Sequence, residues 1–166
     1  TEGQYFKLAN DIDLEGAVWT DIIGTESNKF AGVFDGCGHV IKNFTIKINT
    51  SSPVYNGLFG YVGQSAHILN LGVENVAAEL AATRWGDSFG GIAGVVTDRA
   101  GITGCYAKNV TTTETASDKS GEIGYAGGIV GLVMPDATAV EIRDCYSRGS
   151  SFVKGSVNWN AGLTQV

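Results

Sequence analysis

The sequence predicts an all-β fold: a right-handed parallel β-helix (β-solenoid) with an N-terminal starting coil. Three observations carry this. First, a glycine-rich strand recurs. It reads Asn56-Gly57-Leu58-Phe59-Gly60-Tyr61-Val62, then Gly91-Ile92-Ala93-Gly94-Val95-Val96, then Gly128-Ile129-Val130-Gly131-Leu132-Val133. Gly162-Leu163-Thr164 is a shortened copy and Gly32-Val33-Phe34-Asp35 a divergent one. The leading glycines stand at 32, 57, 91, 128 and 162, so the steps are 25, 34, 37 and 34 residues. Self-similarity at such a period marks a stacked architecture. Second, each of the first four copies is followed by another apolar segment: Ile41-Lys42-Asn43-Phe44, Ile68-Leu69-Asn70-Leu71, Ile102-Thr103-Gly104-Cys105 and Ile142-Arg143-Asp144-Cys145. Third, 24 glycines among 166 residues, with frequent Val, Ile and Thr, favour short strands and tight turns over helices. Charged residues make up only 17%, below the usual ~25%, which suits a mostly buried sheet.

Residues 1–30 lack the repeat. Tyr5-Phe6-Lys7-Leu8 reads as a strand. In Asn10-Asp11-Ile12-Asp13-Leu14-Glu15, alternation puts Ile12 and Leu14 on one face and three carboxylates on the other. This segment is expected to be the starting coil that covers the open end of the first repeat. Residues 31–166 then carry about four repeats, the last of them truncated.

In each repeat an aromatic residue precedes the glycine strand: Phe30, Tyr55, Phe89, Tyr125 and Trp159. The second segment holds Asn43, Asn70, Gly104 or Asp144 between apolar residues spaced three apart, residue types that tolerate a left-handed backbone. A sharp corner is therefore expected at 43, 70, 104 and 144. Beyond it Ile46, Val73, Ala107 and Ser147 should point inward, and Lys47, Glu74, Lys108 and Arg148 outward, with Glu74 between Lys47 and Lys108. Three inward columns follow: Phe44, Leu71, Cys105 and Cys145; Ile41, Ile68, Ile102 and Ile142; Val33, Leu58, Ile92, Ile129 and Leu163. Segments 49–55, 77–88, 111–124 and 150–158 do not match one another. Thr111 to Lys119 is polar and reads as a loop in its distal part; Ala77 to Ala82 suits either a helical turn or a third strand continuing from Val76.

Parallel strands stacked one repeat apart account for this pattern, and parallel crossovers are right-handed as a rule. A propeller has periods of ~40–50 residues but needs four alternating strands per repeat, and only two or three apolar runs are present here. A net charge of −6 and no basic patch argue against nucleic acid and anionic membranes as partners. No run reaches the ~20 apolar residues of a spanning helix, so no membrane insertion is expected. Thr1 starts inside a strand and Val166 ends inside a repeat, so a piece of a longer protein is expected, with further domains of the same chain as neighbours.

The Gly-Leu-x-Gly and Gly-Ile-x-Gly strands resemble the GLUG motif. The leader from Tyr5 to Leu14, then Trp19-Thr20-Asp21-Ile22-Ile23-Gly24 and Phe30-Ala31-Gly32-Val33-Phe34-Asp35-Gly36-Cys37-Gly38-His39-Val40-Ile41, also resembles bacterial secreted and cell-surface proteins of that kind. The likeness covers roughly residues 4–164. Asp35 replaces the second glycine of the first copy, and Cys37 stands where asparagine is frequent. The resemblance implies an extracellular or cell-surface, adhesin-like repeat module, with glycans or host and cell-surface proteins as partners and no cofactor. Similar repeats occur in some surface metallopeptidases, but their His-Glu-x-x-His zinc motif is absent from this chain. An ancillary region of such a protease is thus one alternative, and a carbohydrate-binding or polysaccharide-degrading module another.

Candidate residues are few. Tyr106 and Tyr146 should stack outward, and with Trp85 and Trp159 they suggest a sugar- or peptide-binding platform or else an ordinary exterior ladder. Asp11, Asp13 and Glu15 offer clustered oxygens for calcium or simply a solvated strand face. Asp35 with Asp11 or Asp13 is a formal glycosidase pair, although Asp35 sits in a turn composition where aspartate bonds its own backbone. His39 and His67 lack a third ligand. Cys105 and Cys145 should be stacked neighbours ~4.8 Å apart at Cα, within disulfide range, but with Cβ atoms side by side, which favours free thiols. Cys37 brings the cysteine count to an odd number.

Overall fold

The computed structural model describes residues 2–49, 54–81, 87–114, 124–135 and 137–152. Among these the chain makes short parallel strands and no helix. The first pass holds β1 (Tyr5–Lys7) and β2 (Ile12–Val18). The second holds β3 (Val33–Asp35), β4 (Val40–Ile48), β5 (Tyr55–Asn56) and β6 (Phe59–Val62). The third holds β7 (His67–Leu69), β8 (Gly72–Leu80), β9 (Ser88–Gly90) and β10 (Ala93–Val96). The fourth repeats the pattern with β11 (Gly101–Thr103), β12 (Tyr106–Glu114), β13 (Tyr125–Gly127) and β14 (Val130–Val133), and the fifth holds β15 (Glu141–Arg143) and β16 (Tyr146–Arg148). Strands one pass apart pair in four sheets, in the orders β1-β3-β7-β11-β15, β2-β4-β8-β12-β16, β5-β9-β13 and β6-β10-β14. This is the strand arrangement of a β-solenoid.

Chemically equivalent residues lie over one another. Ile68, Ile102 and Ile142 are in register, as are Val73, Ala107 and Ser147. Leu58, Ile92 and Ile129 are fully buried in the same core as Ile68 and Ile102. The repeated glycine has a packing cause. A Cβ on Gly91 would lie 2.5 Å from the Gly128 carbonyl oxygen, and one on Gly57 2.6 Å from that of Gly90, so no side chain fits between the passes.

The corners at Asn70 (φ 49°), Gly104 (φ 65°) and Asp144 (φ 54°) are left-handed as expected. The second pass is aligned differently from the expectation. Ile41 pairs with Val73 rather than stacking with Ile68, Phe44 pairs with Val76, and Ile46 with Ala78. Lys42, not Lys47, is in register with Glu74, and Lys47 faces Glu79 at 3.8 Å. The residue over Ile68 is Phe34. The second pass turns its first corner at Asp35-Gly36-Cys37-Gly38, where Cys37 (φ 54°) and Gly38 (φ 82°) are left-handed. Asn43 (φ 60°) belongs to a second left-handed position, shared with Asn75 (φ 54°) and Asn109 (φ 54°). Both positions have apolar residues three apart around a left-handed residue, so the sequence pattern alone does not distinguish them.

One further expectation is corrected. Val33 lies in the sheet of β1 and β7, not with Leu58; Ile23 and Gly24 occupy the place below Phe59 and Gly60. The preceding aromatics are out of register: Tyr55 and Tyr125 align with Ser88, while Phe89 aligns with Asn56 and Ala126. A one-residue offset reverses the face, so Phe89 is buried and the two tyrosines are half-buried. Of the two alternatives for Ala77 to Ala82, the strand continuing from Val76 is the one formed, through Leu80; Thr111 to Glu114 likewise continue β12, and the distal part of the 111–119 segment lies outside the described residues. Leu163 and Trp159 lie outside the described residues.

Candidate functional site

The outer face of the β8-β12-β16 sheet carries the expected tyrosines. Alternation puts Ala107 inside and leaves Tyr106 and Lys108 on the outer side. Tyr106 and Tyr146 are in register with centroids 5.3 Å apart and planes at 6°, a stacked pair. The other face of the Tyr106 ring lies on Gly72, where a Cβ would come within 2.5 Å of Cζ. The stack thus covers both faces of Tyr106 and, among the described residues, leaves one face of Tyr146 open, a residue that is 57% exposed. The Tyr106 hydroxyl donates to Glu74 Oε1 at 3.0 Å, and Lys108 Nζ lies 3.4 Å from Glu74 Oε2. Burial, with the Glu74 carboxylate, pushes the Tyr106 phenol up to about 12. Trp85 and Trp159, the other two platform residues, lie outside the described residues.

The acidic strand does not present a common ligand set. Asp11 accepts from His39 Nδ1 at 3.0 Å and from the Val40 amide at 3.1 Å. Asp13 Oδ1 accepts from the Glu15 amide at 2.9 Å and Asn43 Nδ2 at 2.8 Å, and Lys42 Nζ lies 3.6 Å from Oδ2. The hydrogen bond from His39 is the largest cause holding Asp11 below the usual carboxylate range, and that from Asn43 does the same for Asp13. Left-handed Glu15 (φ 52°) and Gly16 (φ 84°) form a bulge between Asp13 and Ala17, which breaks the alternation that would put Glu15 beside the aspartates. Among the described residues no group of three or more His, Cys, Asp and Glu is arranged to hold a metal ion.

Asp35 is a turn residue. Its Oδ1 accepts from the Cys37 amide at 2.8 Å and from Asn70 Nδ2 at 3.2 Å, and its Oδ2 from the Tyr5 hydroxyl at 2.9 Å. The Cys37 amide is the main cause of its lowered pKa. His67 lies against Gly101, whose Cβ would be 2.6 Å from Nδ1.

All three cysteines are free thiols, with Cys37 exposed, Cys105 buried and Cys145 partly buried. Cys105 and Cys145 directly precede the in-register tyrosines, and the Tyr146 amide donates to the Cys105 carbonyl at 3.2 Å.

Sequence reasoning missed two features. One is an amide ladder. Where left-handed Asn43, Asn75 and Asn109 interrupt the backbone pairing, their side chains link the passes. Asn109 Nδ2 donates to Asn75 Oδ1 at 3.0 Å, Asn75 Nδ2 to Asn43 Oδ1 at 2.8 Å, and Asn43 to Asp13 as above. The pattern Val73-Glu74-Asn75-Val76 and Ala107-Lys108-Asn109-Val110 was the available signal. The other is a shallow polar recess of about 230 Å³ lined by Gln64, Ser65, Asp98, Arg99 and Thr138. Its walls are tight turns closed by Ala66 N to Gly63 O at 3.1 Å and Ala100 N to Thr97 O at 3.2 Å. Positive φ at Gln64 (56°), Ser65 (62°), Asp98 (47°) and Arg99 (60°) gives both turns the type I′ geometry usually served by Gly, Asn or Asp; only Asp98 is of such a type, so composition gave little signal.

Two curated proteins are similar to this chain. A Gly-rich membrane protein of Evansella cellulosilytica is 38% identical over 76 residues, which covers 42% of this chain and 8% of that protein. Halomucin of Haloquadratum walsbyi is 28% identical over 177 residues, covering 100% of this chain and 2% of halomucin. The chain therefore spans a small fraction of the length of both relatives. No family model matches it, and no solved structure does. No helix among the described residues is long and apolar enough to cross a membrane.

Proposed function

We propose that this chain is a non-catalytic structural or adhesion module of a longer, surface-associated repeat protein of the GLUG type. The observation that carries the reading is the unbroken pass-to-pass register of β3-β7-β11-β15 and β4-β8-β12-β16. Such a stack is quasi-one-dimensional: each pass contacts its neighbours, so length and rigidity grow by adding passes while connecting loops vary. Residues 1–30 serve as the starting coil and residues 31–166 as the repeats. The winding is right-handed, by the steric preference of parallel crossovers. Similarity to a membrane protein and to halomucin, both far longer, supports a cell-surface or extracellular location. Incubating the purified chain with a panel of polysaccharides tests the reading. No turnover is expected, and cleavage would place the chain among polysaccharide-degrading enzymes instead.

A second reading, glycan binding, is favoured by one observation: the uncovered face of exposed Tyr146 beside the Glu74–Lys108 pair. An aromatic face and flanking polar groups suit the apolar and hydroxyl sides of a sugar ring. On a glycan array this reading predicts retention that Tyr146→Ala removes, whereas Tyr106→Ala weakens it only by unseating Tyr146. Equal retention of wild type and Tyr146→Ala rejects it.

A further inference from the structure

The corner beside the stacked tyrosines brings together two thiols from successive passes. Gly104 and Asp144, both left-handed, precede Cys105 and Cys145 and turn each side chain in the same direction. Cys105 Sγ lies 3.6 Å from the Ile68 carbonyl oxygen, and Cys145 Sγ 3.5 Å from that of Ile102, the residue one pass above Ile68. The two sulfurs thus occupy equivalent places on adjacent rungs. In-register parallel neighbours are ~4.8 Å apart at Cα, inside the range a disulfide spans, and closing the bond requires the side-by-side Cβ atoms to turn toward one another. The two thiols differ in access: Cys105 is 1% exposed, whereas Cys145, in the last described pass, is partly open. A more accessible sulfur beside a buried one suits a dithiol in which one group attacks and the other resolves.

We propose that Cys145 and Cys105 form a thiol–disulfide exchange site for small-molecule disulfides, with Cys145 the attacking thiol and Cys105 the resolving one. The Cys145 thiolate forms a bond to one sulfur of the compound R–S–S–R, whose S–S bond breaks and expels the first R–S⁻. Cys105 then releases its proton and attacks the Cys145 sulfur, expelling the second R–S⁻. Two protein thiols are oxidised to one disulfide, one small disulfide is reduced to two thiols, and the released protons end on the expelled thiolates. The product staples adjacent passes. The electrostatics favour this order. Contact with the Cys105 thiol is the main cause that brings Cys145 down to about 7, against burial and the nearby Asp144 charge. The same contact and deeper burial push Cys105 far up. An ambient-pH thiol is the better attacker.

The proposal is independent of the spacer reading, since it concerns one corner and not the parent protein. Its test uses Cys37→Ser, which removes the exposed third thiol, and oxidised glutathione as probe, read by intact mass and non-reducing peptide mapping. The expected product is the Cys37→Ser chain less two hydrogens, without a glutathione adduct, with Cys105 and Cys145 in one cross-linked fragment. Adding Cys105→Ser should trap one glutathione on Cys145, while adding Cys145→Ser should leave the chain unmodified. Stable glutathionylation of Cys37→Ser, or absence of the cross-link, overturns the proposal. So does trapping on Cys105 rather than Cys145. Should Cys105→Ser prove unfolded by circular dichroism, the cross-link in Cys37→Ser decides, and Cys105→Ala provides the trap.

Discussion

At the scale of single residues, left-handed asparagines do two jobs: they turn the backbone, and their amides bridge the rungs that the turn interrupts. Asn75 is central, because it both donates and accepts within the ladder. Asn75→Ala loses two hydrogen bonds and meets the left-handed penalty, so it should destabilise by about 2–4 kcal/mol in urea unfolding. Asn75→Gly keeps the backbone conformation and should cost less. Equal losses for the two variants would contradict the conformational half of the argument. The aspartates add a pH dependence. Asp11, Asp13 and Asp35 have folded pKa values below their usual one. Groups depressed on folding stabilise above the unfolded value of ~3.9, and that contribution disappears as pH falls through the folded values. Urea midpoints should therefore drop between neutral pH and pH ~3, and less steeply in Asp35→Asn. A flat profile in the parent chain would show that these hydrogen bonds do not persist in solution.

At the scale of elements, the isoleucine column sets most of the core. Ile102 is fully buried between Ile68 and Ile142, so Ile102→Ala should cost about 2–5 kcal/mol. Ile142, half-buried in the last described pass, should cost less on the same substitution. A chemical-denaturation series on both variants checks this, and a larger loss at Ile142 would reverse the assigned burial. The same columns explain how much was legible in advance. From β7 onward the repeats differ mainly in their loops, so Ile68, Ile102, Leu71, Cys105 and the left-handed corners could be matched by inspection. In the second pass two similar left-handed patterns compete, at residues 35–38 and at Asn43, and offer two alignments five residues apart. Only pass-to-pass pairing separates them, because Asp35 reaches Asn70 while Asn43 reaches Asn75. The tyrosine stack was readable from the repeat position of Tyr106 and Tyr146. That Gly72 and Tyr146 cover both faces of Tyr106 was not, since it depends on ring orientation.

At the scale of the whole molecule, stability should be cooperative along the stack yet weakest at its ends, where burial thins. The first pass leaves Tyr5, Phe6, Ile12 and Val18 exposed, and the last described pass leaves Tyr146 exposed. Hydrogen exchange should accordingly be slowest in β7, β8, β10 and β11 and fastest in β1, β2, β15 and β16. Uniform protection over all passes would contradict a one-dimensional stack. The central claim is that like residues a repeat apart lie on successive rungs of one winding ribbon. A crystal structure of the chain is its most direct measurement. The account predicts Ile68, Ile102 and Ile142 in one column with parallel neighbours ~4.8 Å apart, and Lys42, Glu74 and Lys108 in register on the outside. Antiparallel pairing of β7 with β11, or Ile102 out of contact with Ile68, would contradict it.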